Sequence, residues 1–282
     1  MPMKHAELIS VAMGVCFCRP ETYLLQRAID SILSQTHTEL ELLICENGST
    51  PEAKELLAQY ARENGRIRLI DGVGASLLSE KLNRCIQAAK GIWIARQDDD
   101  DWSRPDRLEK QLDFLKQKKQ YGFVGCWVKL EQEGKIIGVR TFPQAPEIQD
   151  FRFVQPFIHP ALVFRRECLE EVGGYSESKY CAGCEDYDLL LRLYGAGFRG
   201  SNLPEPYFTY HLPPHGCSNR TAAMRINEVI VRWKRFRDLN MLPGALPYVI
   251  KPVLVGLIPP ALLSKIKRLH YTDAAGEENG YE

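Results

Sequence analysis

The chain has 282 residues, with 36 Lys plus Arg against 36 Asp plus Glu, 45% hydrophobic and 26% charged side chains. Such a length supports one large domain or two small ones, and the composition excludes disorder and collagen-like repetition. A net charge of zero gives no general field for gathering nucleic acid, which is therefore no expected partner; any phosphate must be held by a local site.

Residues 8–18 form an apolar run after Lys4, about as long as the core of a signal peptide. Glu7 interrupts the basic start, no small-residue cleavage site follows, and Arg19-Pro20 end the run, so a buried first strand and a cytoplasmic chain are expected. Pro247, Lys251, Pro252, Pro259 and Pro260 break residues 242–263, the one stretch that approaches the roughly 18–20 apolar residues a bilayer span needs. The nine cysteines are odd in number and irregularly spaced, which predicts reduced thiols buried as small hydrophobes. Cys181 and Cys184, with His211 and His215, have zinc-ligand spacing, but 26 residues separate the two pairs, so incidental thiols are the preferred reading.

In chain order, residues 10–16 read as a buried strand, and Leu25, Ala28, Ile29, Ile32 and Leu33 share one helical face. Residues 40–45 are a second strand; Ser49 and Glu52 then have capping-box spacing, with Pro51 suited to the first turn of a helix to about Asn64. Residues 67–70 are a third strand, 79–90 a helix closed by Gly91, and 92–95 a fourth strand. Strands alternating with helical crossovers imply an α/β fold, with a mostly parallel sheet between helices and ligands beyond the carboxyl ends of the strands. That rule singles out the loops at residues 46–50 and 97–103. Further on come a helix from Ser103 to about Gln120, a hairpin over 123–130 and 135–141, a strand at 161–164, a helix at 185–195 and a strand at 206–211. A composition shift near Ser218 places a soft boundary between a domain of residues 1–218 and a helical extension of 219–282. The extension opens with a basic amphipathic helix over 222–239.

Asp98, Asp99, Asp100 and Asp101 follow an apolar strand directly. Four like charges this close repel one another, and a hard divalent cation with oxygen ligands relieves the repulsion. Together with residues 31–36, 46–50, 94–101, 105–111, 173–175 and 185–189, taken in order, this run resembles the family 2 glycosyltransferases of the GT-A fold, of the bacterial polysaccharide and O-antigen type. The resemblance covers about residues 8 to 218. It implies that Glu46 and Asn47 hold the base and ribose of a nucleotide-sugar, a UDP-sugar first, because a carboxylate can accept from uracil N3. The family has two acidic residues where this chain has Glu46 and Asn47. The resemblance places Asp98 near the ribose with Asp99 beside it, and Asp100 and Asp101 on a Mn²⁺ or Mg²⁺ ion. Arg96 is then a counter-charge or a phosphate contact, and His215 lies in a loop that closes on the diphosphate or metal.

The resemblance also implies that Asp186 is the base for an incoming hydroxyl, with Glu185 supporting it. The bland reading of that pair is favourable charge at a helix N-terminus. Asp188 is expected to be structural. The implied activity is inverting transfer of one sugar to a glycan or lipid-linked glycan in cell-surface polysaccharide biosynthesis. Arg232-Trp233 lacks the Gln of the processive signature, Val229 standing in its place. Residues 242–268 either pack back on the domain or touch the cytoplasmic face of the inner membrane. Two alternatives stay open: a nucleotidyltransferase, against which there is no Gly-rich loop after the first strand, and a non-enzymatic, zinc-stabilised binding module.

Overall fold

The computed structural model describes residues 7–19, 21–213, 220–242, 244–259 and 263. Four parallel strands form its first half: β1 (Ile9–Val15), β2 (Leu40–Glu46), β3 (Ile67–Ile70) and β4 (Trp93–Arg96), in the order β3-β2-β1-β4. The helices between them are α1 (Tyr23–Leu33), α2 (Pro51–Glu63) and α3 (Leu78–Ala88). Every residue of β1 is buried, as expected for a parallel strand covered on both faces. Leu25, Ala28, Ile29 and Ile32 bury the inner face of α1, the 3.6-residue spacing of an amphipathic helix. α2 starts one residue later than the capping-box reading places it: the Thr50 hydroxyl accepts from the Ala53 N–H, while Ser49 Oγ accepts from Phe17 N–H at 2.9 Å.

The second half is mixed. After β5 (Trp102–Ser103) and α4 (Arg107–Gln117), β6 (Phe123–Gln132) and β7 (Lys135–Arg140) form the expected hairpin, with Glu133 at φ 51° and Gly134 at φ 75°. Two left-handed residues match the twist of the flanking strands. β8 (Val163–Arg165) is antiparallel to β4 and β6, followed by α5 (Arg166–Glu171) and α6 (Glu185–Gly195). β9 (Gly200–Leu212) runs parallel to β6 from Phe123↔Gly200 to Gln132↔Leu212 and antiparallel to β5. The sheet order is β3-β2-β1-β4-β8-β6-β9-β5.

Leu25, Ile29, Leu42 and Leu112 belong to one core cluster; Phe151, Phe157, Leu189 and Leu190 belong to another. The C-terminal helices α7 (Ala222–Asp238) and α8 (Leu246–Gly256) add Val231, Phe236, Ala245 and Val249 to the second cluster, so one face of this segment packs on the domain. Among the described residues no helix is long and apolar enough to cross a membrane.

Candidate active site

The carboxyl ends of β1, β2 and β4 open onto one crevice. Leaving β2, Glu46 folds back so that Oε1 accepts from Ser49 N–H at 2.8 Å, and Asn47 Nδ2 donates to Ala75 O at 2.9 Å. Gly72 permits the close passage of the β3 exit, since a Cβ there would meet Glu46 O at 2.0 Å. Lys81, which the sequence reading passed over, reaches in from α3. Its buried ammonium donates to Val15 O at 2.7 Å and Asn47 O at 2.8 Å, joining the ends of β1 and β2.

The acidic run lies beyond β4, and its four carboxylates sit in four different settings. Asp98 pairs with Arg96, whose guanidinium is 1% exposed and also donates to Ala12 O and Gln97 O. Arg96 therefore stands behind Asp98 as its counter-charge, and its buried Nε has no hydrogen-bond partner among the described residues. Burial, followed by the charges of Asp100 and Asp98, pushes the Asp99 carboxyl up to about 7, against an opposing pull from the Cys16 backbone N–H. Asp100 pairs with Arg19 at 2.8 Å, and burial with the Asp98 charge raises it too. Asp101 is fully buried. Its Oδ1 accepts from His211 N–H at 2.7 Å, tying the run to β9, while Oδ2 has no hydrogen-bond partner among the described residues.

A second acidic pair opens α6. Glu185 accepts from Gly183 N–H at 2.7 Å, and burial, then the neighbouring Asp186, pushes its carboxyl up to about 7. Asp186 accepts from Gln155 Nε2 at 2.9 Å and Tyr187 N–H at 2.7 Å, and burial raises it as well. The fields of the two acidic groups, far apart in sequence, reach the same two tyrosines. Burial raises the Tyr210 phenol, and the charges of Asp101, Asp98, Asp100 and Asp186 raise it further; Tyr175 feels Asp186, Glu185 and Asp98 in the same way. Tyr175 OH also meets His159 Nε2 at 2.7 Å in the core, where burial holds His159 well below its ordinary pKa and so neutral. Asp188 points into the protein, held by Arg192 and Arg235 at 2.7 Å each.

The donor set of the acidic run is hard oxygen throughout, with mutual repulsion already raising Asp99 and Asp100, and this chemistry fits Mg²⁺ or Mn²⁺. Among the described residues no three His, Cys, Asp or Glu side chains are grouped as a complete metal cage. His215 and Ser218 lie outside the described residues. Cys181 and Cys184 are buried in the core and form no metal group with His211, which sits on β9 beside Glu131. Six of the eight described cysteines are buried, as expected, while Cys16 and Cys18 are exposed because β1 ends at Val15 and the chain leaves the sheet there.

Solved structures share this architecture. TarS from S. aureus, residues 1–349 in complex with UDP-GlcNAc, matches with a TM-score of 0.63 and 15% identity over 85% of this chain and 72% of that one. The mannosyltransferase PcManGT from Pyrobaculum calidifontis, in complex with GDP-Man and Mn²⁺, matches with a TM-score of 0.60 and 20% identity over 96% and 76%. The fold is thus that of the GT-A glycosyltransferases. At the level of sequence, the model described as glycosyl transferase family 2 matches residues 15–173. EpsE of Bacillus subtilis (strain 168) is 32% identical over 93% of this chain and 94% of its own length. The O-antigen biosynthesis glycosyltransferase WbnJ of Escherichia coli is 33% identical over 81% and 88%. This chain belongs to glycosyl transferase family 2 and is a glycosyltransferase. Family membership sets aside the nucleotidyltransferase and the non-enzymatic module.

Proposed function

We propose that the enzyme moves a single sugar, with inversion, from a nucleoside-diphosphate sugar to a hydroxyl of a glycan or lipid-linked glycan in cell-surface polysaccharide biosynthesis. The observation that supports this reading is the placement of the 98–101 carboxylates directly beyond the carboxyl end of β4 in the parallel sheet, with the buried Glu185–Asp186 pair opening α6. One group faces the strand ends where nucleotides bind in open α/β sheets, and the other offers a base.

Glu46 and Asn47 hold the base and ribose, with UDP as the nucleotide, and Asp98 and Asp99 line the ribose side. Asp100 holds Mn²⁺ or Mg²⁺, joined by Asp101 and His215 as ligand candidates. The bound cation would stabilise negative charge growing on the departing diphosphate. Arg96 fixes Asp98, and Lys81 fixes the β1 and β2 exits against each other. Asp186, made a stronger base by burial, takes the proton from the acceptor hydroxyl, with Glu185 beside it. Oxygen attacks the anomeric carbon from the face opposite the leaving group, and a single displacement inverts that centre.

Residues 219–282 act as the membrane-proximal extension. Leu246, Ile250, Val253, Leu254 and Leu257 form one outward stripe of α8, 42–78% exposed, opposite buried Val249 and Pro252. Residues 222–268 hold nine Lys or Arg against Glu228 and Asp238, which suits the anionic cytoplasmic face of the inner membrane.

A panel of nucleotide-sugars with Mn²⁺ and a glycan acceptor tests the activity. Metal-dependent release of one nucleoside diphosphate per inverted linkage is expected, and retention of anomeric configuration would overturn the displacement. Sedimentation with phosphatidylglycerol vesicles tests the surface: wild type pellets and Ile250→Ser/Leu254→Ser does not, whereas equal binding by both would dismiss the α8 stripe.

A further inference from the structure

Two thiols at the mouth of the crevice take no part in the proposed reaction. Cys16 and Cys18 leave β1 as a Cys-x-Cys pair, both exposed, with sulfurs 4.0 Å apart. Phe17 between them is buried; its N–H is on Ser49 Oγ and its carbonyl accepts from Thr50 N–H at 3.0 Å. In an extended chain, residues i and i+2 emerge on the same side, so anchoring Phe17 presents both sulfurs together. They lie against residues 46–50: Cys18 Sγ donates to Gly48 O at 3.4 Å, and a Cβ on Gly48 would meet Cys16 Sγ at 3.2 Å. The other six described cysteines are buried.

We propose that Cys16 and Cys18 are a reversible dithiol–disulfide modification site that controls the shape of the loop at residues 46–50. A disulfide needs its sulfurs about 2.05 Å apart, so closure brings this pair together by about 2 Å. The bond takes the Cys18 S–H off Gly48 O and draws in the backbone between that loop and Asp99. The oxidant is a low-molecular-weight disulfide such as oxidised glutathione. Cys18 thiolate attacks one glutathione sulfur, breaking that S–S bond and releasing one glutathione thiolate. Cys16 thiolate then attacks Cys18 Sγ, forming the protein disulfide and expelling the second glutathione. The two protons lost by the cysteines reside on the two released thiols, so two protein thiols are oxidised as one glutathione disulfide is reduced.

The consequence for donor binding rests on the proposed function; the bond itself does not. The full-length protein is equilibrated in glutathione buffers of increasing oxidation. The peptide spanning Cys16 and Cys18 is weighed after alkylation, amide exchange is followed over residues 46–50, and UDP–Mn²⁺ binding is measured by calorimetry. The expected result is loss of two hydrogens from that peptide, altered exchange over 46–50 and at least tenfold weaker UDP binding. Dithiothreitol reverses all three, and none appears in Cys16→Ser or Cys18→Ser. Both thiols still free for alkylation in fully oxidised glutathione, or a disulfide with unchanged exchange over 46–50, would overturn the proposal. Failure of UDP to bind even the reduced protein counts against the donor reading alone, since peptide mass and exchange still decide this one.

Discussion

Asp186 and Asp188 stand two residues apart on α6, and the structure predicts opposite responses to their removal. Asp188 is fully buried and receives Arg192 Nε on one oxygen and Arg235 Nε on the other, so it joins α6 to α7. Asp188→Ala leaves Arg192 without its carboxylate and Arg235 with only Asp238, at 3.3 Å, and breaking a buried pair in this way costs about 3–5 kcal/mol. That is a large part of the ~5–15 kcal/mol that holds a domain folded. Asp186 carries no such cross-link, and burial already disfavours its charge, so Asp186→Asn keeps or raises stability. Its cost falls on turnover instead: loss of a general base slows a reaction about 10²–10⁴-fold, or roughly 2.7–5.5 kcal/mol of barrier. Urea denaturation and nucleoside diphosphate release in the presence of acceptor separate the two effects. Unfolding of Asp188→Ala at the wild-type midpoint, or wild-type turnover by Asp186→Asn, would refute the division of roles.

Two further outcomes concern pH and the crevice wall. Glu185 rises from 4.5 in the unfolded chain to about 7 when folded, so over that window the folded state binds the extra proton. Its contribution to stability is complete below pH 4.5 and is lost as pH rises through about 7; a denaturation series shows that loss in wild type but not in Glu185→Gln, and equal slopes would contradict it. Lys81→Met leaves Val15 O and Asn47 O without their ammonium donor, which costs about 1–3 kcal/mol for a buried group left unpaired and weakens UDP binding; calorimetry beside urea melts reads both, and unaltered UDP affinity would rule out Lys81 as a support of the crevice.

The first four strands and their helices were legible because each carries its own apolar period and its own punctuation. Elements lacking such a local signal were not. β5 is only Trp102–Ser103, held by pairing with Thr209 and Phe208 of β9, a partner a hundred residues away. The start of β9 in Gly200, Ser201 and Asn202 is polar; it becomes strand because β6 lies alongside and Asn202 Nδ2 donates to Pro143 O and Pro156 O. In the site, charge density marked residues 98–101 and 185–186, but a carboxylate's setting depends on tertiary partners. Nothing near Asp101 in the chain reports that His211 N–H will bind it. Lys81 was missed because an amphipathic helix with one inward lysine looks like any surface helix until β1 and β2 end beneath it. Cys16 and Cys18 were misplaced because an apolar run does not mark where its strand stops.

Residues 98–101 are proposed to hold a divalent cation against a nucleoside diphosphate. This is tested most directly by the thermal stability of wild type and Asp100→Ala with UDP, GDP, dTDP and CMP, each with and without Mn²⁺. Ligand at about 100 times its dissociation constant adds about 2.7 kcal/mol of stability. The expected result is a shift with one nucleoside diphosphate, UDP, that requires Mn²⁺ and disappears in Asp100→Ala. A shift of equal size without metal, or one retained in full by Asp100→Ala, would contradict it.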